Sequence, residues 1–244
     1  MSYLSLVRHG QSEWNEKNLF TGWENPGLTE KGLVEAKEAG VKLNNLGIHY
    51  DHYYTSTLDR AIITAEIIIS GLNINEYNLV KCQELNERDY GDLTGLNKDD
   101  ARKKWGEEQV HIWRRSFDIP PPNGESLKDT AERVIPFFSS EIFTKLKDQE
   151  NVFISAHGNS LRSLIMHIEN LSSEEILKRE IATGKPLVYE FDKNNKFQTS
   201  IRGIKVRGTY DNYEQAEKRA KSLQKRDPTF DVYVGQVGYW VPVM

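Results

Sequence analysis

Two short apolar runs in this chain each end in a histidine followed by glycine. Tyr3–Val7 leads into Arg8-His9-Gly10, and Val152–Ser155 leads into Ala156-His157-Gly158. Runs of that length bounded by glycine read as buried strands, and in open α/β sheets ligands bind beyond the carboxyl ends of the strands. Glycine lets backbone approach a ligand closely. Ser12 and Ser160 stand where helices would begin, so free N–H groups there would favour an anion. Two such ends side by side would make a phosphate site. Arg8 and Arg60 suit it, because a guanidinium donates two hydrogen bonds at once to an oxyanion. An unpaired Arg8 at an apolar strand end would also be expensive. A neutral imidazole is a competent nucleophile toward phosphorus, so these residues predict phosphoryl transfer by way of a phosphohistidine on His9. Glu87 is the best candidate for proton transfer in Glu84-Leu85-Asn86-Glu87-Arg88-Asp89-Tyr90-Gly91, with Glu84 a rival on pattern alone.

Other chemistries fit less well. Ser155-Ala156-His157-Gly158-Asn159-Ser160 lacks the Gly-x-Ser-x-Gly elbow of serine hydrolases. No His-Glu-x-x-His stretch or similar ligand spacing points to a metal. Cys82 is the only cysteine, which rules out an internal disulfide and fits a reducing compartment. A net charge of −4 gives no general attraction to nucleic acid or anionic lipid, so an anion site must be built from locally gathered Arg and Lys. No apolar stretch is long enough to span a membrane. The N-terminus runs into a strand without the basic and apolar segments of a secretory signal. The expectation is a cytoplasmic protein with neither nucleic-acid nor membrane partners.

The elements that must hold these residues alternate. After the strand at Tyr3–Val7, the spacing of Ala36, Ala39, Leu43 and Leu46 predicts a helix over 29–46, with Thr29 as N-cap and Gly47 past its end. A strand over 51–55, a helix over 58–69 and a strand over 79–82 follow. Asn86–Leu96 reads as loop. Beyond the rigid Pro120–Gly124 run, Ser126-Leu127-Lys128-Asp129 resembles a capping box opening a helix to about Lys147, which Pro136 should kink or restart. A strand over 152–155, a helix over 161–171 and a strand over 187–191 complete the pattern. The prediction is an α/β fold with a mostly parallel sheet flanked by helices. Past residue 203 a charged helix over 212–225 and strand-like runs over 230–234 and 237–241 predict a small C-terminal β-α-β appendage, so the domains are taken as 1–203 and 204–244.

The stretch Leu6-Val7-Arg8-His9-Gly10-Gln11-Ser12-Glu13-Trp14-Asn15, followed by Phe20-Thr21-Gly22-Trp23, resembles cofactor-dependent phosphoglycerate mutases of the histidine phosphatase superfamily. Further matches are Glu84–Gly91, Gly95-Leu96-Asn97-Lys98, Arg114-Arg115 and Ala156-His157-Gly158-Asn159-Ser160-Leu161-Arg162, so the resemblance spans residues 3 to about 192. It implies a three-layer sandwich in which His9 is phosphorylated, Arg8, Arg60 and His157 hold the phosphoryl group, and Glu87 passes the proton. Ser12, Asn15, Thr21, Gly22, Tyr90, Lys98, Arg114, Arg115, Gly158 and Asn159 match family positions that bind the phosphoglycerate. The implied reaction interconverts 3-phosphoglycerate and 2-phosphoglycerate, in glycolysis and gluconeogenesis, primed by 2,3-bisphosphoglycerate and without a metal.

The alternatives are a phosphatase of the same superfamily acting on a phosphorylated metabolite and an inert binding protein that kept the fold. Lys98, Arg114 and Arg115 argue for the mutase, since a second anion clamp suits an enzyme that retains a bisphosphorylated intermediate. Between Arg115 and Glu125 the chain resembles the short form of the family, lacking a segment that contributes to the pocket rim and to subunit contacts in longer members; this weakens the case for the homodimer or other homo-oligomer that the resemblance otherwise implies. Residues 204–244 replace the family's usual tail and resemble a short module appended to proteins of large DNA viruses. They are read as a packing or interaction appendage rather than a lid.

Overall fold

The structure, a computed structural model, describes residues 1–74, 76–191, 197–198 and 213–226. These fall in two compact units, Met1–Ile201 and Arg202–Met244. The first is built on six strands: β1 (Ser2–Arg8), β2 (His52–Thr55), β3 (Leu79–Lys81), β4 (Val152–Ala156), β5 (Pro186–Phe191) and β6 (Phe197–Gln198), in the order β3-β2-β4-β1-β5-β6. β3, β2, β4 and β1 are parallel, whereas β5 runs antiparallel to β1 and β6 to β5.

Side chains alternate across a strand, so a strand apolar at nearly every position must be covered on both faces. Leu4 and Leu6 of β1, Val152 and Ile154 of β4, and Tyr189 of β5 pack with Val134 of α6 (Leu127–Phe137) and Leu161, Leu164 and Ile165 of α8 (Gly158–Glu169). The intervening Val7, Phe153 and Val188 pack with Ala39 and Leu43 of α2 (Glu30–Asn45) and Ala65, Ile68 and Ile69 of α3 (Asp59–Gly71). The result is helix, sheet, helix in three layers, as the alternating pattern predicts.

Several elements escape the sequence reading. α4 (Lys98–Trp105), α5 (Glu107–Arg115) and α9 (Ser173–Lys178) were not anticipated, and the helix start expected at Ser12 opens only the single turn α1 (Glu13–Glu16). α4 and α5 are only eight and nine residues long and each fully buries one residue, Ala101 and Val110, so the apolar stripe each carries is too short to stand out. Those two residues pack with Phe20 and Leu93 in a separate small cluster. α8 starts at Gly158 rather than near Leu161, because its first turn is buried and its N–H groups find a partner in the site described below. β5 is antiparallel because α8 carries the chain away from the carboxyl end of the sheet and α9 with residues 179–185 returns it there. Arg162 at the start of α8 donates to the Arg179 carbonyl at 3.2 Å. Pro136 does not stop its helix. Lacking an N–H, it is followed by a π-turn at Phe138–Ile142 before α7 (Phe143–Lys147) resumes. In the second unit α10 (Tyr213–Arg226) meets the predicted charged helix, while the predicted strands over 230–234 and 237–241 lie outside the described residues.

Gly10 is fixed by a close approach. A Cβ there would lie 2.2 Å from the Gly32 carbonyl oxygen in the first turn of α2, backbone against backbone. Gly10→Ala is therefore expected to destabilise the first unit by about 3 kcal/mol, a fall in Tm of roughly 10 °C measurable by calorimetry.

Candidate active site

The parallel pairing of β1 with β4 aligns Arg8 with Ala156, so the residues that follow, His9 and His157, leave the sheet side by side. Their ring centroids are 4.9 Å apart, and both side chains are buried. His9 Nδ1 lies 2.7 Å from the Gly10 carbonyl oxygen. A carbonyl only accepts, so Nδ1 carries the hydrogen and Nε2 keeps its lone pair. Burial, followed by the charges of Arg60 and Arg8, holds the His9 imidazole well below its ordinary pKa of 6.5. His9 is thus a neutral imidazole with one nitrogen free. His157 is also held well below 6.5, by burial first and then by Arg60.

Arg60 is buried, and its guanidinium donates to the carbonyls of Gly22 at 2.8 Å and Glu24 at 2.6 Å. Burial pushes its pKa down to about 10, which leaves it charged at neutral pH. Arg8 donates to the Ile181 carbonyl at 2.8 Å, and its Nε is buried without a partner among the described residues. Arg88 Nε and His157 Nδ1 are in the same condition. Buried donors left unpaired are costly; two of these belong to arginines that line one cavity and the third to His157 just behind its wall, an arrangement that suits an anion.

Glu87 replaces an anion that the sequence placed at the start of α8. One carboxylate oxygen accepts from Gly158 N at 3.1 Å, and the other from Arg88 N at 2.8 Å, Asn159 N at 3.1 Å and Asn159 Nδ2 at 2.9 Å. The helix N-terminus is therefore occupied by the protein's own carboxylate, and at the four-residue α1 Ser12 itself takes the Asn15 N–H at 3.2 Å. The site for an exogenous anion is made of side-chain cations instead. Burial opposes ionisation of Glu87, but the Arg88 N–H, Arg8, Asn159 and Arg60 outweigh it and draw the carboxyl below its usual range. Glu84, the rival on pattern, is exposed and outside the cavity.

The backbone bearing Glu87 is held from behind by Arg133 of α6. Its guanidinium donates to the carbonyls of Glu84 at 2.7 Å, Asn86 at 3.1 Å and Glu87 at 2.9 Å, and makes a two-pronged pair with Glu125 at 2.9 and 2.8 Å. Glu125 in turn accepts from Asp89 N at 3.0 Å, and Trp23 Nε1 donates to the Glu87 carbonyl at 2.6 Å. No signal in the sequence marked Arg133.

The cavity, of about 430 Å³, brings together Arg8, His9, Asn15, Thr21, Arg60, Glu87, Tyr90, Lys98, Arg114, Arg115, Gly158 and Asn159 from the sequence reading. Lys98 Nζ and the Arg114 guanidinium carbon lie 5.7 and 6.0 Å from the centroid of the Phe20 ring, so α4 and α5 deliver them to one place. Burial lowers the pKa of both, opposed by Tyr90 and reinforced by neighbouring arginines. Ser12 and Gly22 do not line the cavity: the Ser12 hydroxyl is a fully buried helix cap, and Gly22 offers its carbonyl to Arg60. His157 also lies behind the lining. Arg88, Arg162 and the segment Glu180–Thr183 do line it and were missed. The two arginines stood within recognised motifs, whereas 180–183 carried no signal. With seven cationic side chains facing Glu87 and Glu180, the lining is strongly positive within a chain of net charge −4. Among the described residues no group of three His, Cys, Asp or Glu could hold a metal ion.

Comparison with known proteins follows the same division of the chain. The histidine phosphatase superfamily (branch 1) matches residues 4–202, and a family of unknown function (DUF5832) matches residues 204–244. A 2,3-bisphosphoglycerate-dependent phosphoglycerate mutase of Parvibaculum lavamentivorans is 61% identical over 189 residues, which cover 78% of this chain and 90% of that protein. A phosphoglycerate mutase of Schizosaccharomyces pombe is 57% identical over 194 residues, covering 80% and 92%. Among solved structures, YhfR of Bacillus stearothermophilus has a TM-score of 0.72 at 26% identity, covering 83% of this chain and 97% of that one.

The two buried imidazoles have a consequence for stability. Unfolded histidine takes up a proton as pH falls through 6.5, whereas folded His9 and His157 resist until a lower pH. Stability contributed by their neutrality is present above 6.5 and lost below it, at about 1.4 kcal/mol per pH unit for each histidine. Urea midpoints measured between pH 7.5 and 5 should show this slope, and His9→Asn should reduce it.

Proposed function

The chain belongs to the histidine phosphatase superfamily, and on that premise we infer that it is a 2,3-bisphosphoglycerate-dependent phosphoglycerate mutase, interconverting 3-phosphoglycerate and 2-phosphoglycerate in glycolysis and gluconeogenesis. The mutase-named relatives at 57–61% identity support this over a phosphatase. The observation that carries it is the second cation group, Lys98, Arg114 and Arg115, sharing one cavity with His9. A phosphatase needs to hold one phosphoryl group while water discharges it. A mutase must also grip the far end of its substrate while a bisphosphorylated molecule turns over.

The residues fit such a dianionic guest. Unpaired buried donors on Arg8, Arg88 and His157 suit phosphoryl oxygens, and Lys98, Arg114 and Arg115 suit the carboxylate or second phosphate. When bound, 2,3-bisphosphoglycerate supplies the phosphoryl group that first charges His9. His9 Nε2 then bears that group, with Arg8, Arg60 and His157 about its oxygens, where fixed cations and donors stabilise charge developing in line with the attack. Glu87 enters ionised and takes the proton of the substrate's C2 hydroxyl as that oxygen bonds to phosphorus and the P–N bond breaks. After the molecule turns, His9 attacks the phosphorus at C3, and Glu87 returns the proton to the departing oxygen. The histidine is regenerated as phosphohistidine and 2-phosphoglycerate leaves.

Incubation with 3-phosphoglycerate, with and without the bisphosphate primer, tests the reading. Formation of 2-phosphoglycerate should be primer-dependent and exceed release of phosphate. Replacing His9 with Gln should cost about 10⁴-fold or more in kcat, and mutase activity surviving that change would sink the proposal. Lys98→Ala and Arg115→Ala should each lower kcat/KM for mutase turnover by roughly 10- to 100-fold, the worth of a charged hydrogen bond, and shift product toward free phosphate.

For residues 204–244 we propose a packing or interaction appendage. The relatives above are matched over 90% and 92% of their own length, which leaves little of them to hold a counterpart of this 41-residue tail. Deleting it should leave mutase and phosphatase rates unchanged, whereas a fall in the ratio of mutase to phosphatase would indicate a lid.

A further inference from the structure

Ser56 is fully buried at the end of β2, outside the cavity lining and outside every motif used above. Its hydroxyl oxygen lies 2.7 Å from His157 Nε2 and accepts the Leu58 N–H at 3.1 Å. A serine hydroxyl has one hydrogen to give and two lone pairs to receive. With one lone pair taken by Leu58, two arrangements remain for the contact with His157.

If His157 donated from Nε2, the Ser56 hydroxyl hydrogen would be buried with no acceptor among the described residues, and His157 Nδ1 would present a lone pair. A lone pair there would repel the phosphoryl oxygens that Arg8 and Arg60 attract. If Ser56 donates to Nε2, both of its bonds are satisfied and Nδ1 carries the hydrogen. That Nδ1 is buried and unpartnered, on a ring whose centroid is 4.9 Å from that of His9. Satisfying buried polar groups favours the second arrangement by the ordinary cost of an unmade bond. A protonated His157 would need no such help, but the two neighbouring guanidiniums and burial oppose its charge.

We propose that Ser56 is a positioning residue that holds His157 as the Nδ1–H tautomer, so that His157 offers a neutral hydrogen-bond donor to the phosphoryl group borne by His9. The two histidines thereby sit in opposite tautomers. The Gly10 carbonyl draws the hydrogen of His9 to Nδ1 and frees Nε2 as a nucleophile, whereas the Ser56 hydroxyl occupies Nε2 of His157 and leaves Nδ1–H as a donor. One ring attacks phosphorus, and the other steadies an oxygen on it. Neither role requires a charged imidazole, which suits a site already crowded with guanidiniums.

The proposal rests on the mutase reading only for its kinetic arm, because the tautomer is observable without turnover. Long-range proton–nitrogen spectra of the full chain carrying ¹⁵N-histidine, with His157 assigned through His157→Gln, should show His157 protonated at Nδ1 and unprotonated at Nε2. Ser56→Ala should move the hydrogen or populate both tautomers and lower kcat at least about 10-fold, toward the roughly 100-fold cost of losing one preorganised donor, with KM nearly unchanged. Ser56→Thr, which keeps the hydroxyl, should restore both readouts. A wild-type spectrum with the His157 hydrogen on Nε2 would overturn the proposal. So would a folded Ser56→Ala protein with unchanged tautomer and kcat. Should Ser56→Ala fail to fold, the wild-type spectrum decides alone. A chain that proved to be a phosphatase would show the same loss in phosphate release, since charging of His9 is common to both reactions.

Discussion

Parallel strands in register end level with one another, and here β1 and β4 pair residue for residue from Leu4 with Val152 to Arg8 with Ala156. The next residue of each is a histidine, so one backbone alignment places the two imidazoles in ring contact before any side-chain interaction is counted. The backbone of β4 also reaches past the strand to hold the peptide of His9 itself, through His9 N donating to the Ala156 carbonyl at 3.0 Å. Because side-chain direction alternates along a strand, a slip of one residue would turn these strands inside out. Full burial of Leu4, Leu6, Val152 and Ile154 on one face and Val7 and Phe153 on the other makes that slip prohibitive. The core thus fixes the register, and the register fixes the site.

Around that pair the protein solves an electrostatic problem. Several guanidiniums and Lys98 must face one small cavity, and each repels the rest. Backbone carbonyls take up part of the charge, those of Gly22 and Glu24 for Arg60 and that of Ile181 for Arg8. Among the described residues Glu87 supplies the one buried countercharge, itself stabilised by the first N–H groups of α8. Burial, and after it the same cations, keeps both histidines neutral, and neutrality is what the proposed attack and uncharged hydrogen bonding to an anion require. Electrostatics here is preorganised by backbone rather than by ion pairs, so it costs little rearrangement when charge moves during transfer.

Much of this was legible in the order of residues. The strands that carry His9 and His157 are continuous apolar runs, and the helices covering the sheet show their stripes plainly. The motif residues Arg8, Arg60 and Glu87 are recognisable because each is a charged group whose type matches the chemistry, and Lys98 through the family resemblance. What could not be read has a common character. α4 and α5 are short and each fully bury a single residue, so their apolar period is too brief to read although they position Lys98, Arg114 and Arg115. Arg133, which holds the loop bearing Glu87 through three carbonyls, is one arginine on a helix among others until those carbonyls are placed beside it. Residues 180–183 reach the cavity only because the chain doubles back through α9 to start an antiparallel β5.

The sequence by itself determined the α/β alternation, the strand ends and the family, because hydrophobic period and reactive side-chain type are properties of short stretches. It also offered two carboxylates, Glu84 and Glu87, which pattern alone did not separate, although the surrounding chemistry and the family resemblance favoured Glu87. Tertiary structure separates them physically, burying Glu87 against the start of α8 and leaving Glu84 in solvent. It likewise assigned Ser12 to a helix cap and Gly22 to the support of Arg60 rather than to the cavity wall. Those decisions depend on hydrogen-bond partners tens of residues away in sequence, Gly158 and Asn159 for Glu87 and Arg60 for Gly22, and such partners exist only once the sheet has brought the distant segments together.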